Sequence, residues 1–174
     1  ARRMAASLGY NECVTYSFID QKAAVLFGGG SDAVRIENPI SSEMTHMRPD
    51  LLPGLLAAAA RNQARGFADL ALFECGPVFS GGEPGEQDLH LSGILVGANA
   101  ARDPYASRRK VDIYDAKADA EAILQTIGAP AKPRSTASWT AGGIRAAPAT
   151  SRWGRTRWRH SARSIPACCG ISAS

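Results

Sequence analysis

The sequence predicts an α+β fold in which a largely antiparallel sheet is flanked by helices. Two apolar segments of strand length follow one another at residues 69–75 and 90–97, with a glycine-rich connection at 81–85. Two helical patterns with apolar residues three and four positions apart lie outside this pair, at 52–59 and 116–127. The regular alternation of strands and helices that is typical of a doubly wound parallel sheet is missing.

The residues before position 50 predict short elements that end at glycine or proline. Residues 2–8 form the end of a helix that stops at Gly9, where glycine adopts a left-handed backbone at little cost. Residues 12–18 alternate between two sets of side chains, which predicts a half-buried strand. Asp20 is a suitable N-cap for a short helix, and residues 33–36 predict another short strand.

The strongest helical pattern begins after Asp50, which can cap it, and Pro53 falls in the first turn, where its missing N–H costs little. Gly66 ends this helix. Further along, residues 111–114 predict a short strand. We expect Asp115 to cap the amphipathic helix that follows and continues to residue 127.

Charge divides the chain of 174 residues, net charge +4, into two unequal parts. Residues 1–133 carry 13 basic and 16 acidic side chains, whereas residues 134–174 carry seven arginines, no acid and all three tryptophans. The second part has neither helical nor strand periodicity and few large aliphatic residues, so we expect it to be disordered or ordered only against a partner. We therefore predict a domain over residues 1–133 and a tail over residues 134–174.

Composition also excludes several classes of protein and site. No apolar run approaches the roughly 18 residues that cross a bilayer, so we expect no membrane-spanning segment. The four cysteines have no zinc-ligand spacing and the three histidines are scattered, so we expect no metal site and no bound cofactor. We interpret Cys13 and Cys75 as reduced core residues of a cytoplasmic protein. The chain does not begin with Met, and we expect it to be a piece of a longer one.

One segment, residues 38–56, carries the most specific pattern, and we call it the signature block. It begins Asn38-Pro39-Ile40-Ser41-Ser42-Glu43 and continues through Met47-Arg48-Pro49-Asp50-Leu51-Leu52-Pro53. Further blocks lie in order at residues 8–18, 72–79 and 112–121. Together they resemble the synthetase-like core of the phenylalanyl-tRNA synthetase beta subunit family from about residue 4 to residue 130. The residues that carry this pattern are Asn38, Pro39, Ser41, Ser42, Glu43, Met47, Arg48, Leu51, Leu52, Pro53 and Glu74.

The resemblance implies a subunit of an α/β heterotetramer that attaches phenylalanine to its tRNA. In that family the alpha subunit holds the active site, and the complete enzyme uses ATP and Mg²⁺ and contacts tRNA. The beta core has a class II synthetase-like antiparallel sheet flanked by helices and is regarded as catalytically silent. The match to that sheet is incomplete at the C-terminus, since the tail departs from the family.

Residues 71–74 agree with a silent module. Class II sites carry Phe-Arg-x-Glu on a strand, and the arginine contacts the ATP phosphates; here Leu72 stands at that position, and it cannot stabilise phosphate charge. We therefore expect no catalytic residue in this chain. We expect Arg48 and Glu43 to order the loop before the long helix or to contact the alpha subunit.

Two other interpretations remain open from the sequence. An autonomous class II ligase domain would need a phosphate-binding arginine that the pattern does not supply. The arginines and tryptophans of the tail could bind RNA through phosphate contacts and base stacking. The same composition also fits a shift of reading frame near residue 134 in a GC-rich gene, which makes the tail an out-of-frame segment.

Overall fold

The computed structural model describes residues 1–100, 103–105 and 107–128, and beyond them only the backbone of three short strands. The prediction of an α+β fold is confirmed, because helices pack against both sides of a β-sheet. The helices are α1 Arg2–Ser7, α2 Gln21–Leu26, α3 Leu52–Ala64 and α4 Ile113–Thr126, with a 3₁₀ turn at Asp32–Val34.

The strands of the described part of the chain are β1 Asn11–Glu12, β2 Phe18–Ile19, β3 His46–Met47, β4 Leu70–Phe79, β5 Gln87–Val96, β6 Ala137–Thr140, β7 Gly143–Ala146 and β8 Cys169–Ala173. Four of them form the main sheet in the order β1-β4-β5-β8, while β2 pairs with β3 and β6 with β7 in two smaller ladders. It is a mixed sheet, because β1 runs parallel to β4 while β5 is antiparallel to both β4 and β8.

Alternate residues of β4 enter two different cores, one on each side of the sheet. Phe73 packs in a core that α1 and α4 cover, with Leu91 and Ile123 as further members. Leu72 packs in a second core that α3 covers, together with Leu55. We call these two sides of the sheet the α4 face and the α3 face.

The long helix α3 forms where the sequence predicts it. The Asp50 carboxylate accepts a hydrogen bond of 2.9 Å from the Leu52 amide, although by backbone position Leu51 is the N-cap. Pro53 lies in the first turn, and the helix ends just before Gly66, whose φ of 94° only glycine adopts readily. Its buried residues are Leu52, Leu55, Ala58 and Ala59.

Two predicted strands are wrong. Residues 12–18 do not form one strand: only their two ends pair, because the Thr15 amide donates to the side chain of Glu74 instead of to a strand carbonyl. Residues 33–36 contain the end of the 3₁₀ turn, because the Val34 and Arg35 amides donate to carbonyls three residues earlier. The β-pairing in this range is one isolated bridge between Arg35 and His46.

The strand predicted at residues 111–114 is also wrong, because α4 begins at Ile113. Asp112 is the N-cap and accepts from the Tyr114 and Asp115 amides, while the Asp115 carboxylate accepts from the Asp112 amide. Asp115 therefore completes a capping box at the third helical position instead of being the cap itself. The predictions of disorder and of a frame shift in residues 134–174 lie outside the described residues, apart from the backbone of β6, β7 and β8, and stay predictions.

Candidate functional site

The signature block divides into an outer half and an inner half with opposite surroundings. The outer half, residues 38–43, is exposed at every position, and Ile40 keeps 86% of its surface accessible. The inner half, residues 46–53, contributes mainly buried side chains to the interior. Its fully or nearly buried members are His46, Arg48, Asp50, Leu51 and Leu52.

The centre of the inner half is an ion pair between Arg48 and Glu74. Arg48 follows β3 and Glu74 lies on the α3 face of β4, with Nη1 and Oε1 2.7 Å apart and side chains only 3% and 4% exposed. The Arg48 Nε also donates to the Pro77 carbonyl at 2.9 Å. A buried charge pair is tolerated when further hydrogen bonds compensate for the loss of water, and the Pro77 carbonyl provides one such bond.

Thr15 completes this cluster from the segment that follows β1. Its hydroxyl donates to Glu74 Oε2 at 2.7 Å and accepts from Arg48 Nη1 at 3.1 Å. Its backbone amide donates to Glu74 Oε1 at 3.3 Å. Thr15, Arg48 and Glu74, which we call the buried triad, therefore join three segments that are distant in sequence.

Two glycines leave room for the buried triad. A Cβ added to Gly54 of α3 would overlap the Thr15 hydroxyl, and one added to Gly76 of β4 would approach Arg48 Nη2 to 2.6 Å. Neither glycine has a positive φ, so the close approach of the neighbouring side chain is what favours glycine there.

The other inner-half residues serve packing and local hydrogen bonding. His46 is 2% exposed, and its Nδ1 lies 2.9 Å from the Thr45 hydroxyl. Met47 is half-buried and pairs with Phe18 between β3 and β2. Leu51 is fully buried, and Pro53 is half-buried in the first turn of α3.

The outer-half candidates remain at the surface. The Ser41 hydroxyl accepts from the Glu43 amide at 3.3 Å, so these two residues form a local turn. Asn38, Pro39 and Ser42 are exposed. The structure therefore separates Glu43 from Arg48, the two polar residues of the block that the sequence suggested for a shared role.

The groups of the site that could carry chemistry are enclosed or protonated. The Arg48 guanidinium is enclosed, and Leu72 is buried in the apolar core of the α3 face. Burial, and then the charge of Glu74, raise the pKa of the Cys13 thiol, which keeps it in the unreactive protonated form. Among the described residues no three His, Cys, Asp or Glu side chains are grouped to hold a metal ion.

The sequence did not single out Thr15 as a member of the site. The available signal was the alternation of residues 13–17, in which Cys13, Thr15 and Ser17 share one side. This polarity did not indicate a buried partner for Thr15, because its partners Arg48 and Glu74 lie 33 and 59 residues further along the chain.

A family model described as the phenylalanyl tRNA synthetase beta chain CLM domain matches residues 1–149. The phenylalanine–tRNA ligase beta subunit of Cereibacter sphaeroides is 78% identical over 132 residues, and that of Ruegeria pomeroyi is 74% identical over 132. Each alignment covers 76% of this chain and 16% of the relative. The corresponding subunit of Rhodospirillum rubrum is 50% identical over 129 residues, 74% of this chain and 16% of the relative.

A solved structure shares the fold at a distance. The pyrrolysyl tRNA synthetase of Desulfitobacterium hafniense superposes with a TM-score of 0.53 and 14% identity, covering 82% of this chain and 48% of that one. None of the helices in the described part of the chain has the length and hydropathy that crossing a bilayer requires. The family match over most of the chain, together with the high identity to these subunits, shows that the chain belongs to the phenylalanyl-tRNA synthetase beta chain family through its CLM domain.

Proposed function

We propose that this chain is a catalytically silent structural module of a phenylalanine–tRNA ligase, and that it packs beside the catalytic alpha subunit. In this proposal the complete cytoplasmic enzyme uses ATP and Mg²⁺ and contacts tRNA, and the module has a class II synthetase-like architecture. Family membership and the names of the relatives support it. Because the chain spans 16% of the length of these relatives, the activity of the complete enzyme is part of the proposal.

The observation that carries catalytic silence is the closure of the buried triad. A phosphate-binding arginine must present its donors to a ligand, since catalysis depends on donors aimed at developing charge. The Arg48 side chain is 3% exposed, and its Nη1 and Nε already donate within the protein. Leu72, at the position of the class II arginine, is 5% exposed among apolar neighbours.

The observation that supports docking is apolar surface that the described residues leave uncovered. Ile40 protrudes from the outer half. Val14 and Tyr16 lie at the β1 edge, 93% and 72% exposed, and Leu89 is 69% exposed opposite Pro77 on the α4 face. Transfer of such apolar side chains from water into a protein interface is favourable. We propose that the alpha subunit contacts Ile40 and the Val14–Tyr16 edge.

The test combines this chain with the separately purified alpha subunit. Size-exclusion chromatography should give a joint peak. ATP–pyrophosphate exchange with phenylalanine should be absent from the chain alone. Exchange by this chain without the alpha subunit would overturn the claim of silence, and separate peaks at micromolar concentrations would overturn the claim of docking.

A further inference from the structure

In the segment that follows β1, the apolar side chains face solvent and the small and polar side chains face the interior. We call residues 13–17 the inverted segment. Val14 and Tyr16 point to solvent, whereas Cys13, Thr15 and Ser17 are half-buried. Cys13 packs against the core of the α3 face, so the small and polar side chains of this segment are the inward ones.

Hydrophobicity alone would select the opposite arrangement. A shift of one residue would exchange the inward and outward side chains of this segment, and burying valine and tyrosine is more favourable than burying threonine and serine. A specific contact must therefore stabilise the observed arrangement, because a shift of one residue would bury Val14 and Tyr16 instead.

The buried triad supplies that specific contact. Thr15 bonds to Glu74 through both its hydroxyl and its amide, at 2.7 and 3.3 Å. The Arg48 amide donates to the Ser17 carbonyl at 2.9 Å, two residues further along the segment. Two residues before Thr15, the Cys13 amide donates to the Phe73 carbonyl at 2.7 Å. Each of the three inward residues, Cys13, Thr15 and Ser17, therefore has a backbone hydrogen bond to a neighbouring segment.

We propose that Thr15, Glu74 and Arg48 form a register lock that keeps Val14 and Tyr16 on the outer side of the inverted segment. A shift by one residue would place an apolar side chain against the Glu74 carboxylate, which would then lose both of its bonds to Thr15. Thr15 and Glu74 act as positioning residues. The functional role of this lock rests on the proposed function, since Val14 and Tyr16 belong to the surface that is proposed to bind the alpha subunit.

The test measures side-chain reactivity in the 174-residue chain without the alpha subunit. Cys13 is alkylated with iodoacetamide and Tyr16 is acetylated with N-acetylimidazole, and both rates are followed by peptide mass spectrometry. Cys75 on β4 and the exposed Tyr105 provide internal references. In Thr15→Ala, which removes the hydroxyl without introducing a larger apolar side chain on the inward side, Cys13 should react about tenfold faster and Tyr16 about tenfold slower, while both references stay unchanged.

A second variant disturbs the lock from the opposite side. Gly54→Ala places a methyl group against the Thr15 hydroxyl and at the same time favours the helical backbone of α3, so it should give the same two opposite changes. Thr15→Ser keeps the hydroxyl and should react like the unaltered chain. Ser17→Ala is the matched control on the same side of the segment, and it should also leave both rates unchanged.

Each outcome decides the proposal. Opposite changes at Cys13 and Tyr16 in Thr15→Ala and Gly54→Ala support the lock. Unchanged rates overturn it, and so does faster reaction of both residues, which would mean that the triad tethers the segment without selecting its register. Parallel acceleration of Cys75 would show general unfolding and would count against a local lock. If the labelling pattern is as expected but the alpha subunit does not bind, the docking proposal fails and the register lock stands.

Discussion

The outer and inner halves of the signature block are separated by only two residues, yet they have opposite surroundings. The outer half is exposed at each of its six positions and is held by one local turn between Ser41 and Glu43. The inner half directs Arg48 into a closed ion pair and places Leu51 and Leu52 in the interior. A single sequence motif thus combines residues that build the fold with residues that remain free for contact.

The difference shows why polar residues of one motif need not share a role. Arg48 directs its Nε to the Pro77 carbonyl and its Nη1 to Thr15 and Glu74, so these donors are not available to a ligand. Glu43 makes no such interior contact and is exposed to solvent. Substitutions should therefore separate the two halves by what they change: stability in the inner half, and binding in the outer half.

The largest effect is expected from Glu74→Ala. The substitution leaves the Arg48 charge buried without its partner, which typically costs about 3–5 kcal/mol. Urea denaturation followed by circular dichroism measures the loss in free energy of unfolding. Glu43→Ala is the matched control in the outer half and should change stability by less than about 0.5 kcal/mol. Equal effects of the two substitutions would remove the distinction between the halves.

A smaller effect is expected from Asp50→Ala at the start of α3. The change removes the acceptor of the Leu52 amide, and the loss of such a contact costs about 1 kcal/mol. The midpoint of urea denaturation should fall, while the slope of the unfolding free energy against urea concentration stays the same. An unchanged midpoint would show that Leu51, the backbone N-cap, is sufficient without this carboxylate.

The sequence predicted α3, the glycine that follows it and the β4–β5 hairpin because their signals are local. It failed at residues 12–18 and in the identity of the α4 cap. In the first case the decisive partner, Glu74, lies 59 residues away. In the second, two carboxylates three residues apart, Asp112 and Asp115, were each capable of capping, and only the backbone geometry distinguishes them. The exposure of Val14 and Tyr16 was unpredictable for the same reason, since hydrophobicity favours the opposite side.

A still smaller, pH-dependent effect is expected at the N-terminus of α4. A hydrogen bond from the Arg109 guanidinium, and then one from the Asp112 amide, lower the pKa of Asp115 below its ordinary value. A lowered folded-state pKa stabilises the protein above the unfolded value of about 4, and this contribution is lost as the pH falls through the folded value. The stability difference between the unaltered chain and Asp115→Asn should therefore be present at neutral pH and decrease in acid.

The measurement is a series of urea denaturations of both proteins at decreasing pH. Glu83→Gln, in the exposed connection between β4 and β5, provides the baseline. A difference between the unaltered chain and Asp115→Asn that does not change with pH would contradict this account of the Asp115 carboxylate.

The smallest effect on stability is expected in the outer half itself. Ile40→Ser should leave the free energy of unfolding within about 0.5 kcal/mol, because the side chain is 86% exposed. Binding to the alpha subunit, measured by isothermal titration calorimetry, should weaken by about tenfold if Ile40 lies at the proposed interface. Unchanged affinity would exclude Ile40 from that interface.

A double-mutant cycle on Arg48 and Glu74 tests the central claim most directly, namely that the inner half serves the interior of the protein. Arg48→Met and Glu74→Leu are made singly and together, and the free energy of unfolding is measured for all four proteins. We predict that each single change is strongly destabilising and that the double variant is clearly more stable than the sum of the two implies, since neither charge is then left unpaired. Strictly additive losses would contradict the claim, because they would mean that Arg48 and Glu74 act independently of each other.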